Sequence, residues 1–220
     1  MTTKTRQNEF ATPLGSVDHA RLEFARGASR VTIHTENGIP DLFRARFEGP
    51  QPMVLGDDGR VTIEYPRISP TEWLRPDRRA AEVLLNASIP WEIVFSGGVS
   101  RLRADLSLLQ LQSLELGHGV SDAELVLPRP NGIVRVEVHG GVSKAAIHRP
   151  AGVGVRLSIA GGATKLTLDD EHFGATGGPM RLASRGLEEA GDRYEIEISG
   201  GASELSIDER RQAVSRYPRT

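Results

Sequence analysis

The chain has 220 residues, 38% of them apolar, no cysteine and a formal net charge of −2. That composition supplies a core, excludes disulfides, thiol catalysis and cysteine metal sites, and provides no field to steer the chain to nucleic acid or an anionic membrane. No run approaches the roughly 18 apolar residues of a membrane span, and MTTKTRQNEFATP lacks the apolar core of a signal peptide, so a cytoplasmic location is expected.

In chain order, residues 1–17 read as a flexible segment. Residues 18–90 read as an irregular β layer in which Arg44–Phe47, Met53–Leu55 and Val61–Tyr65 look like strands. Ser69-Pro70-Thr71-Glu72 has the spacing of a helix capping box, with Pro76 stopping any helix after one turn. Arg75-Pro76-Asp77-Arg78-Arg79 is a basic loop. Trp73, Arg75, Arg78 and Arg79 are candidate contacts for a protein partner whose identity the sequence leaves unknown. Residues 91–208 are regular. An insertion at 169–191 reads as a long loop, and 209–220 as a polar tail.

A repeat runs through the chain. FARGASRVTI, FSGGVSRLRA, LGHGVSDAEL, VHGGVSKAAI, IAGGATKLTL and ISGGASELSI share an apolar residue, two variable residues, Gly, then Ala or Val, then Ser or Thr. The glycines are Gly27, Gly98, Gly119, Gly141, Gly162 and Gly201, spaced by 71, 21, 22, 21 and 39 residues. Period-two alternation flanks each one, as in Val134, Val136 and Val138 before Gly141, which marks strands with one buried face. The glycines therefore mark corners with positive φ, and Pro128–Gly132 and Pro150–Gly154 mark the opposite corners. A unit of about 21 residues buries its apolar face only by stacking on copies of itself. The expected fold is all-β: a single-domain parallel β-solenoid, or β-helix, with Gly-[AV]-[ST] corners. Stacking in chain order makes Ser29, Ser100, Ser121, Ser143, Thr164 and Ser203 an inward hydroxyl ladder. It makes Arg101, Asp122, Lys144 and Arg103, Glu124 outward columns of alternating charge.

Chemical motifs are few. The glycine pairs lack a third glycine, a Walker lysine and a strand-to-helix switch, so they do not read as phosphate loops. No serine lies in Gly-x-Ser-x-Gly. His118 and His139 fall near one corner on adjacent coils, but no HxH or HExxH spacing occurs, and no metal or cofactor is expected. Asp169-Asp170-Glu171-His172 is the one acidic run that could serve a carbohydrate-acting β-helix enzyme.

The order of features resembles a known group. Trp91-Glu92-Ile93 enters the first Gly-Gly and LSLLQLQSLELGHG forms a leucine-rich coil. Leu127-Pro128 and Arg149-Pro150-Ala151-Gly152 follow, then an insertion, then Tyr194-Glu195-Ile196-Glu197-Ile198 before Gly-Gly-Ala-Ser. This is similar to the β-solenoid domain of the "putative adhesin" type, related to toast-rack and cell-wall-active antibiotic response (LiaF-type) proteins. The resemblance covers roughly Trp91 to Asp208. It implies a non-enzymatic interaction or scaffold module linked to envelope-stress or cell-surface signalling, and no catalytic residues. A solenoid end left open, with Ser203–Ile207 as its last strand, would form a homodimer.

Overall fold

The computed structural model describes residues 3–6, 8–66, 79–187 and 191–210, with no α-helix among them. The first half supplies β1 (Thr3–Arg6), β2 (Glu9–Pro13), β3 (Ala20–Phe24), β4 (Ala28–Glu36), β5 (Asp41–Glu48), β6 (Met53–Asp57), β7 (Arg60–Glu64) and β8 (Ala80–Asn86). The repeat supplies β9 (Pro90–Phe95), β10 (Val99–Asp105), β11 (Gln110–Leu116), β12 (Val120–Val126), β13 (Ile133–Val138), β14 (Val142–Arg149), β15 (Gly154–Ile159) and β16 (Ala163–Leu168). The last four are β17 (Glu171–Phe173), β18 (Met180–Ala183), β19 (Arg193–Ile198) and β20 (Ala202–Glu209). They form one 11-stranded and one 9-stranded sheet.

Each glycine corner joins a strand of the smaller sheet to a strand of the larger. The six units so joined and the pair β7–β8 stack in parallel, in the order β7–β8, β3–β4, β9–β10, β11–β12, β13–β14, β19–β20, β15–β16. This corrects the expected stacking in chain order at both ends. Near the N-terminus β3–β4 lies between two units that follow it in sequence. Near the C-terminus β19–β20 inserts between β13–β14 and β15–β16. Ser203–Ile207 is therefore paired on both sides and is no open edge.

Antiparallel strands finish each end. The insertion at 169–191 is no free loop: β17 pairs with β16 and β18 with β15. At the other end β6 pairs with β7, and β5, β2 and β1 add to β8 in turn. Residues 1–17, expected to be flexible, thus contribute two strands, because β2 finds ladder partners on β5. The three strands expected inside the irregular layer fall on β5, β6 and β7. The capping box at Ser69–Glu72, together with Trp73, Arg75 and Arg78, lies outside the described residues, as do 211–220.

The inner faces of the two sheets form a continuous buried cluster. It is arranged in columns: Phe24 stacks on Phe95 with ring centroids 4.9 Å apart, and Trp91 is fully buried, donating its indole N–H to Asn86 O at 2.7 Å. Tyr194 donates to Pro128 O at 2.8 Å, and burial pushes its phenol pKa well up. At about 25 cal/mol per Å2 of apolar surface buried, these columns are the main source of stability.

Candidate interaction surface

The corner glycines have a different role from the expected one. None of Gly27, Gly98, Gly119, Gly141, Gly162 or Gly201 has positive φ. Positive φ occurs instead at the opposite corners, on Gly132 (75°) and Gly152 (74°). What the repeat corner requires is closeness between units. A Cβ on Gly140 would lie 2.4 Å from Gly119 N, and one on Gly97 would lie 2.1 Å from Gly27 N. Adjacent corners are hydrogen-bonded through this contact, for example Val120 N to Gly141 O at 3.0 Å and Val142 N to Gly201 O at 2.9 Å. The last corner has no further unit beside it, and Thr176 takes that place, exchanging two backbone hydrogen bonds with Ala163 at 2.8 and 2.9 Å.

Four of the six non-glycine residues with positive φ among those described fall three residues after a corner glycine: Asp122 (φ 56°), Lys144 (53°), Lys165 (52°) and Glu204 (54°). Each lets two successive side chains point outward between inward neighbours, as Ser121 and Asp122 do between buried Val120 and Ala123. That break in alternation corrects the hydroxyl ladder. The inward column is Ala28, Val99, Val120, Val142, Ala163 and Ala202. Ser100, Ser121 and Thr164 are exposed, and Ser143 and Ser203 half-buried. Ser121 Oγ donates to Ser100 O at 3.2 Å, while Ser29 Oγ is buried without a partner.

The four left-handed residues are neighbours on the outer face of the larger sheet. In strand order from β10 to β16 the column reads Arg101, Asp122, Lys144, Glu204, Lys165, so charge alternates at every step. Lys165 Nζ lies 2.9 Å from Glu204 Oε1. Arg103, in register with Glu124, donates to Asp122 Oδ1 at 2.5 Å and to its carbonyl at 2.7 Å. The hydrogen bond from Arg103 holds the Asp122 carboxyl below the usual range, helped by the charges of Arg103, Arg101 and Lys144. Lys165 does the same to Glu204.

Towards the N-terminal end this face hollows into a groove of about 650 Å3, lined by Glu9, Ala11, His34, Arg44, Arg46, Glu82 and Leu84 among others. Arg44 is paired with Asp41 at 2.5 Å. Arg79, the one residue of the basic loop within the described part, offers its carbonyl to Ser29 N and Arg30 N at 3.1 and 3.2 Å.

The acidic run does not gather as a catalytic pair. Arg149, only 2% exposed, holds both Asp169 oxygens at 2.7 and 2.9 Å. Glu171 faces Arg185 at 3.7 Å, and His172 Nδ1 faces Thr167 Oγ1 at 3.1 Å. The two corner histidines likewise diverge: His118 bonds Ser96 O at 2.9 Å, whereas His139 lies 3.2 Å from Glu115 and 3.8 Å from Glu137. Among the described residues no three His, Cys, Asp or Glu side chains are placed to hold a metal ion, and no helix is long and apolar enough to cross a membrane. The buried role of Arg149 is not marked by the Arg149-Pro150-Ala151-Gly152 turn, although Arg149 shares the inward parity of Ala145 and Ile147. An arginine at a core position needs a carboxylate partner, and that was the available signal.

Among curated proteins, none matches the chain. Among solved structures, a putative cell adhesion protein from Clostridium sporogenes ATCC 15579, determined at 1.95 Å resolution, superposes with a TM-score of 0.66 at 19% identity, covering 96% of this chain and 100% of that one. At that identity the likeness is one of fold. The profile of the N-terminal domain of toast_rack, DUF2154, matches residues 1–148, which is more than half the length. The chain belongs to that family.

Proposed function

We propose that the chain is a non-enzymatic interaction module of the cell surface or envelope-stress signalling. In this reading it is a single β-solenoid that holds the charged outer face of its larger sheet rigid for a protein partner. The observation that carries it is the use made of the polar residues. The acidic run that offered an enzyme is committed to structure through Arg149–Asp169 and Arg185–Glu171. The outward charges form a regular ladder on β10 to β16, and the same face carries a groove of about 650 Å3 towards the N-terminal end. The family and the fold shared with a protein named for cell adhesion agree with this reading. A wide, polar, prefolded face suits recognition by electrostatic complementarity, which governs specificity and association rate.

The test pairs binding with turnover. Purified chain is applied to intact bacterial envelopes, alongside a variant carrying Arg44→Glu and Arg46→Glu. Retention of the native chain and loss of the variant, with unchanged circular dichroism, supports the reading. Turnover of any member of a polysaccharide panel, abolished by Asp170→Asn, overturns it in favour of an enzyme.

A further inference from the structure

The two sheets have four outermost strands among the described residues: β1 and β17 in the larger, β18 and β6 in the smaller. Such strands carry backbone N–H and C=O groups with no ladder partner, and proteins blunt them with charge, proline or shortness. Three are blunted here. β1 is Thr-Lys-Thr-Arg, β17 is three residues long with Glu171 and His172, and β18 is four residues long with Arg181 in it and Pro179 before it. β6, Met-Val-Leu-Gly-Asp, is different. It has five residues and no charge before Asp57. It is firmly seated, because Val54 packs against the core and all five residues pair with β7. Its outward side chains, Met53 and Leu55, are 52% and 55% exposed.

We infer that β6 is a dimerisation edge whose occupant is β6 of a second copy of this chain, joined antiparallel about a two-fold axis at Leu55. The register follows from the residues. Two-fold antiparallel pairing sets Leu55 opposite its own counterpart and Met53 opposite Asp57. No carboxylate then faces a carboxylate, and the two exposed leucines cover each other. The next strand agrees. Arg60 stands in register with Asp57 and screens it, while Glu64, in register with Met53, is held by Arg26 at 2.6 Å. Moving the axis towards Asp57 brings the two carboxylates together, and moving it to Val54 sets Leu55 against Met53 instead of its own counterpart. The smaller sheets of two copies would run on as one, and the interface would be isologous and closed. This moves the self-association expected at the C-terminal strand to the opposite end of the molecule, because β20 already has a partner on each side.

The chain's lack of cysteine makes the experiment clean. Leu55→Cys introduces one thiol at the proposed axis, and Ile133→Cys, at a site 49% exposed on β13 in the interior of the sheet, is the control. Expected results are a dimer by light scattering at micromolar concentration and rapid bismaleimide cross-linking of Leu55→Cys but not Ile133→Cys. Leu55→Lys should weaken dimerisation by about tenfold or more with the circular dichroism spectrum unchanged. A monomer at every concentration overturns the inference. If Leu55→Cys in that monomer also resists alkylation, the chain's own segment 67–78 is the occupant instead. A dimer indifferent to Leu55→Lys places the interface elsewhere, and growth beyond two copies rules out the closed two-fold arrangement; either result overturns it too.

Discussion

Arg149 and Asp169 lie 20 residues apart and meet as a two-pronged ion pair, with Arg149 Nη1 and Nη2 donating to the two Asp169 oxygens at 2.7 and 2.9 Å. The guanidinium also donates through Nε to Val153 O at 2.7 Å, and the Arg149 carbonyl accepts from Arg210 N at 2.7 Å. With Glu209 Oε1 3.6 Å from Nη2, one buried cation thus joins the ends of β14, β16 and β20, including the inserted C-terminal unit. Removing it leaves a partly buried carboxylate and an unpaired carbonyl. Arg149→Met should lower the unfolding free energy by about 2–4 kcal/mol, measured by denaturant titration. Asp169→Asn should cost about 1–2 kcal/mol, because asparagine tolerates the left-handed backbone at that position (φ 53°) and keeps one acceptor. A negligible cost for Asp169→Asn would show that the carboxylate charge is irrelevant to the lock.

Gly140 and Gly141 share a corner and separate its two roles. A methyl group at Gly140 would meet Gly119 N at 2.4 Å, which is backbone and cannot yield. At Gly141 it would meet Gly201 O at 3.4 Å, an ordinary contact, and φ there is not positive. Gly140→Ala should therefore destabilise by about 1–3 kcal/mol through forced separation of units, while Gly141→Ala stays within about 0.5 kcal/mol. Thermal unfolding of the two variants decides it. If the order is reversed, conformational freedom rather than close approach explains the recurring glycines of the corner.

Much of this architecture is readable from residues. The doubled glycines and the parity of Val134, Val136 and Val138 identify units and inward faces, because burial and backbone closeness act on each unit separately. Unit order is different. β19 matches β13 and β15 equally well in apolar pattern, so nothing local tells Tyr194–Ile198 to enter between them rather than follow them. The hydroxyl ladder failed for a local reason: Asp122, Lys144, Lys165 and Glu204 take a conformation favoured by glycine, and their side chains do not announce it. The groove needs β2 and β5 side by side, a pairing that no motif marks. Arg149 was legible in principle, through its inward parity, and its partner Asp169 was read as a site when it is a strut.

Asp122 gives the charge ladder a pH signature. Its pKa is depressed in the folded chain, first by the hydrogen bond from Arg103 and then by the charges of Arg103, Arg101 and Lys144. A depressed carboxyl stabilises the fold above its unfolded value of 3.8 and loses that contribution as pH falls through the lower folded value. The stability difference between the native chain and Asp122→Asn should be constant near neutrality and vanish in acid below that range. Asp122→Lys should be worse than Asp122→Asn at low salt, since it adds a cation among Arg101, Arg103 and Lys144, and the gap should close as salt screens exposed charges. A salt-independent gap would mean that these side chains are not neighbours.

The C-terminal insertion acts as a cap, and its removal should show it. β17 covers the free edge of β16, β18 covers β15, and Thr176 closes the last corner by exchanging backbone hydrogen bonds with Ala163. Replacing residues 171–187 by a short Gly-Ser linker keeps every parallel unit but uncovers two long edges with buried-type residues such as Leu157, Ile159 and Leu166 beside them. Open edges of that kind recruit other chains. The shortened chain should keep its far-ultraviolet β signature while light scattering shows concentration-dependent growth beyond the state of the full chain. The combination of the deletion with Leu55→Lys separates this growth from association at β6: the cap model has growth persist in the double variant, through β15 and β16. A shortened chain that scatters like the full one would show that the insertion is dispensable decoration and that the last unit protects its own edge.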